Sequence, residues 1–168
     1  MPPDLDIYVV SRARNRKTIE RFLQEYVDLD ASQDRGDEDL MMVPFGVTET
    51  PDAAELWDWE PAKNLKHVVQ RGLDEPHRAF AVYLKPRDSS LTSVTMAFRT
   101  DGCAIFGLSI DDEGMKPENA MRARSLLHTL ADAYEGERGW IGVEMPAPLI
   151  AGPGPREVVE YEWHAEST

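Results

Sequence analysis

Hydrophobic positions recur with two spacings along this chain, and each spacing predicts a kind of element. Residues 5–11, Leu-Asp-Ile-Tyr-Val-Val-Ser, are apolar and β-branched and predict a strand. In residues 16–28, Ile19, Phe22, Leu23, Tyr26 and Val27 repeat at helical spacing, with Asn15 placed to cap the first turn. A polar, acidic loop over 29–39 follows. Residues 40–46 suit a short strand that lies at an edge or stops at Pro44, because proline has no N–H for a ladder. A short helical piece is expected near 52–57. A second helix is expected over 61–73, opened by Pro61 and burying Leu65, Val68, Val69 and Leu73.

Three strands at 78–85, 92–99 and 103–110 come next, and their alternation sets the register of the turn between the last two. A two-residue Asp101-Gly102 loop would place the apolar sets of the two strands on opposite faces. A three-residue loop, Thr100-Asp101-Gly102, pairs Met96 with Phe106 and Val94 with Leu108 and keeps both sets on one face. The expectation is a type I turn closed by a left-handed Gly102 in a G1 bulge. A third helix is expected over 117–135, opened by Pro117, with Ala120, Met121, Arg124, Leu127, Leu130, Ala131 and Tyr134 along one side. Residues 140–145 predict a last core strand. The Ala-Gly-Pro-Gly-Pro run at 151–155 has the composition of a linker, and the aromatic stretch after it can dock as an extended segment.

The resulting order, β-α-β-α-β-β-β-α-β, is α+β rather than doubly wound, because a consecutive meander needs no crossover helices. The expected fold is a mixed, mainly antiparallel sheet of five or six strands, with about three helices packed mostly on one face. Residues 1–150 form one domain in this reading, and 151–168 form a linker and tail. A length of 168 residues with 42% hydrophobic residues supports one core of this size.

Charge adds polarity to this picture. The formal net charge is −13, and residues 28–60 alone carry −10. Just upstream, Arg12, Arg14, Arg16 and Lys17 place four positive charges between the first strand and the first helix. So acidic a chain repels phosphate backbones and anionic lipids, which argues against nucleic acid and membrane and in favour of a basic protein partner. No apolar run is long enough to span a bilayer. The acidic N-terminal residues do not resemble a secretory signal, and Cys103 is the single cysteine. A reducing, cytoplasmic setting is therefore expected.

The usual catalytic signatures are missing. There is no phosphate loop, dinucleotide fingerprint, zinc motif or nucleophile elbow, so no cofactor, metal or catalytic residue is assigned. His67, His77, His128 and His164 have no ligand spacing, and Asp111-Asp112-Glu113 reads as an acidic turn before a helix. Two candidate sites remain. Asp37, Glu38, Asp39 and Trp57-Asp58-Trp59-Glu60 combine carboxylates with two tryptophans, the composition of a partner surface. Arg12, Arg14, Arg16 and Lys17 beside free helix N–H groups suit a small anion, unless the chain's own acids neutralise them.

In length, acidity and lack of motifs the chain is similar to small bacterial immunity and adaptor proteins that bind basic toxins. The similarity is one of class and carries over no residues. The leading expectation is a protein-binding module for a basic partner. A small-anion binder or enzyme at residues 11–17, and a self-associating structural domain or homodimer, stay open.

Overall fold

The computed structural model describes residues 2–30, 40–44, 60–148 and 159–166. The strands are β1 (Asp4–Ser11), β2 (Leu40–Pro44), β3 (Glu60–Ala62), β4 (Phe80–Leu84), β5 (Ser93–Phe98), β6 (Ala104–Asp111), β7 (Gly136–Val143) and β8 (Val159–His164). The helices are α1 (Arg16–Tyr26), α2 (Leu65–Asp74) and α3 (Pro117–Ala133), with a 3-10 turn at Glu113–Met115. The strands form one open sheet in the order β3-β2-β4-β5-β6-β1-β7-β8. Every described pair is antiparallel, in keeping with the mainly antiparallel sheet expected.

The α+β class is as the alternation predicts, but five or six strands is an undercount. The two extra strands are the edges. β3 has only three residues and pairs with β2, and β8 pairs with β7. β3 is too short for an apolar repeat, whereas Val159, Tyr161 and Trp163 of β8 alternate with polar residues in the stretch expected to dock as an extended segment. Each is defined by the neighbour that supplies its hydrogen bonds.

The β5–β6 turn matches its prediction. Val94 faces Leu108, Met96 faces Phe106, and Gly102 has φ of +85°. Asp101 Oδ1 accepts from the Cys103 N–H at 3.1 Å, fixing the turn locally.

Asn15 caps α1 by accepting from the Thr18 N–H at 3.0 Å, and α1 buries Ile19, Phe22 and Leu23. The start of α2 is a correction. Pro61 belongs to β3, and the helix begins at Leu65 behind Asn64, which accepts from the His67 N–H at 2.9 Å. The asparagine cap and the pairing of 60–62 with β2 together outweigh the proline signal. α3 does open at Pro117, but its buried line is Ala123, Leu127, Leu130 and Ala131. Met121 points away and is 71% exposed. Arg124, the polar exception in the predicted stripe, lies 4.4 Å from the Tyr161 ring of β8. Among the described residues no helix is long and apolar enough to cross a membrane.

The main core lies on one face of the sheet. There Leu5, Ile7, Val9, Met96, Phe98, Phe106 and Leu108 meet buried residues from all three helices. Phe22 of α1 stacks within 4.8 Å of Phe106 and 5.4 Å of Tyr134.

Candidate functional site

Because side chains alternate along a strand, the other face is built from the intervening residues. The strand registers set one row across it: Tyr83, Thr95, Gly107, Tyr8 and Trp140. The next row toward the start of β1 is Ser93, Ser109, Asp6 and Gly142. The row on the other side carries Ala81, Ala97, Ile105 and Val10. Among the described residues, no helix residue joins the small buried cluster on this face, which centres on Tyr8, Val10, Ile105 and Trp140. Small residues leave room for the rings to lie flat. A Cβ on Gly107 would come within 2.6 Å of the Tyr8 ring, so this ring position requires glycine beneath it.

The chain leaving β7 crosses this face as a strap. Glu144 turns it with φ of +46°, and its N–H donates to the Asp4 carbonyl at 3.0 Å. The Met145 carbonyl accepts from the Tyr8 hydroxyl at 2.8 Å, and its backbone N–H side faces the Asp6 carboxyl, whose ionised form it favours. Two residues on, the backbone of Ala147 comes to the Tyr83 hydroxyl. The strap thus runs from β7 over β1 to β4 and covers part of this face.

Beside the strap lies an open cleft of about 480 Å³. Tyr8 and Tyr83 wall it, Asp6 and Ser109 stand on its floor, and Asp4 and Glu144 line it from the side. The Ser109 hydroxyl donates to Asp6 Oδ1 at 2.6 Å, and the Thr92 hydroxyl donates to Asp4 at 3.0 Å. Burial pushes the Asp6 carboxyl up to about 6, and the charges of Asp4 and Glu144 add to the rise, while the bonds from Ser109 and Met145 oppose it. Tyr8 and Tyr83 are both raised, chiefly by burial and further by Asp6, so both stay neutral. No lysine, arginine or histidine is among the described residues lining the cleft. Among the described residues no group of three or more His, Cys, Asp or Glu side chains is arranged to hold a metal ion. Carboxylates flanked by aromatic walls suit an ammonium or guanidinium group, which gains both charge pairing and a ring face.

The sequence-derived candidates that the structure describes lie outside this cleft. Asp37, Glu38, Asp39, Trp57, Asp58 and Trp59 fall outside the described residues, as does the helical piece near 52–57. Glu60 lies in β3, where it pairs with Arg71 at 2.7 Å and Arg78 at 2.6 Å. These two arginines hold its carboxyl below the usual range, against a desolvation cost that raises it.

The basic junction is occupied by the chain's own groups. Arg12 pairs with Glu137 at 3.0 Å, and Arg16 pairs with Glu20 at 3.4 Å and with Gln70. Arg14 reaches inward instead. It donates to the carbonyls of Gly72, Glu75, Pro76 and Arg99 and sits 4.7 Å from the Phe98 ring. Its guanidinium therefore closes the end of α2 and ties it to the β5–β6 turn. Lys17 is exposed on α1.

The minor candidates have local roles. Asp111 accepts from the Glu113 N–H at 2.7 Å, and Asp112 accepts from Asn119 at 2.9 Å, so this acidic loop satisfies its own turn. Cys103 is buried, and burial followed by the Asp101 charge pushes its thiol up to about 11, where it is no nucleophile.

Asp6, Tyr8, Tyr83 and Glu144 were not singled out in the sequence. One signal was present: Asp4 and Asp6 alternate with Leu5 and Ile7, which puts carboxylates on one face of a central strand. Compared with protein-family models, curated proteins and solved structures, the chain finds no match.

Proposed function

We propose that this domain is a binding module for a basic protein partner, and that the cleft beside the strap receives a lysine or arginine side chain of that partner. One observation carries the reading: Asp4, Asp6 and Glu144 line one cleft, walled by Tyr8 and Tyr83, with no cation of the described chain lining it. The volume of about 480 Å³ lies in the range of small-ligand sites and leaves room for one long side chain. The overall charge of −13 supports the same reading, because it would steer a basic partner toward the domain. The acids of residues 28–60 add to that steering charge. A single cysteine suits a reducing compartment, and the cytoplasm is where this reading places the encounter.

The test is an NMR titration with an acetylated, amidated tetra-arginine peptide at pH 7.5. Amide shifts should concentrate at Asp6, Tyr8, Ser109 and Glu144, and the affinity should fall with added salt. Shifts spread evenly over the acidic surface, or confined to the helix face, would overturn the reading.

A further inference from the structure

We propose that the cleft is proton-gated: a cationic side chain seats in it only when Asp6 has released its proton, so that binding and deprotonation are one linked event. This rests on the reading of the cleft as a cation site.

The argument begins with what surrounds Asp6. On its own strand stand Asp4 and Tyr8, from β6 comes Ser109, from β5 Ser93, from β4 Tyr83, and from the strap Glu144 and Met145. The charged groups in this set are all acids. A central carboxyl with two acidic neighbours and no described cation in the cleft is held protonated to higher pH than a free one. The shift of Asp6 to about 6, from burial first and from Asp4 and Glu144 after it, puts that change inside the physiological span. A guanidinium against Asp6 reverses the balance, because opposite charge favours the ionised form.

Arginine keeps its charge throughout the range, so any pH dependence of tetra-arginine binding comes from the protein. With Asp6 at about 6, affinity should fall roughly tenfold between pH 7.5 and pH 5. Calorimetry at pH 6 in two buffers of different ionisation heat should show proton release on binding. Asp6→Asn should bind the peptide more weakly, with that tenfold change gone. Ser109→Ala removes a bond that favours the ionised carboxyl, so it should move the midpoint to higher pH. This second variant keeps the proposal testable should Asp6→Asn fail to fold. Wild-type affinity that is flat from pH 5 to 7.5, with shifts still in the cleft, would overturn the gating and leave the cation site standing. A tenfold change that persists in Asp6→Asn would also overturn it. Absence of binding at every pH would overturn the cation site and the gating together.

Discussion

The two faces of this sheet share the same strands and differ in almost everything else. The helix face carries Leu5, Ile7, Phe98, Phe106 and Leu108 and is closed by three helices. The opposite face carries Ala81, Ala97, Thr95, Gly107 and Ser109 with three large rings, Tyr8, Tyr83 and Trp140. Among the described residues it is crossed by a short strap and by no helix. Large apolar side chains gain most from burial under a second layer, so that face supplies stability. Small side chains leave a shallow surface where polar groups can collect, so that face can hold a site. The difference between one residue and the next along β1, Asp6 to Ile7, is the difference between cleft and core.

Substitutions on the two faces should separate these roles. The largest effect is expected for Phe106→Ala, which opens a cavity beneath Phe22 and Tyr134 and should cost about 3–5 kcal/mol in urea denaturation. A loss under 1 kcal/mol would break the assignment of stability to the helix face. Gly107→Ala should cost about 1–3 kcal/mol, because the new Cβ meets the Tyr8 ring and must displace it. It should also weaken tetra-arginine binding, an effect that Phe106→Ala should not share if the protein stays folded.

The pH dependence of stability sharpens the comparison further. The Asp6 carboxyl sits higher in the folded chain than the ordinary value near 3.8, so folding favours its protonated form. The cost of ionising it is absent below about 4, grows as pH rises to about 6, and is constant above that. Asp6→Asn should therefore gain on the wild type by about 1–2 kcal/mol between pH 4 and pH 7, after allowance for solvent screening of a half-buried group. An advantage that shrinks with rising pH would contradict the sign. The smallest effect is expected for Tyr8→Phe. It leaves the Met145 carbonyl without its donor and should cost about 1 kcal/mol, with faster hydrogen exchange at Met145 and Ala147. Unchanged exchange there would mean that the strap is held by other contacts.

The elements that could be read from the chain are those whose signals are local. Asn15, Pro117 and the three-residue turn at Gly102 each act within a few residues, and the register of β5 and β6 follows from that turn. The misplaced start of α2 shows the limit. Pro61 signals a helix start in the sequence, and the pairing of Glu60–Ala62 with β2 moves that start to Leu65, behind Asn64. The basic junction was visible as a charge cluster, but its occupancy was not, because the carbonyls that Arg14 reaches lie some sixty and more residues away.

By itself, then, the sequence determined the period of each long element, the class of the fold and the face on which its large apolar residues gather. Those properties follow from side-chain spacing, which is written residue by residue. The tertiary structure alone decided the edge strands, the strap and the cleft. Asp6, Ser109 and Glu144 are far apart in the chain, and what unites them is antiparallel registry across three strands plus one left-handed turn at Glu144. A hydrogen bond between Ser109 and Asp6, and the altered acidity that comes with burial, exist only once that registry has formed.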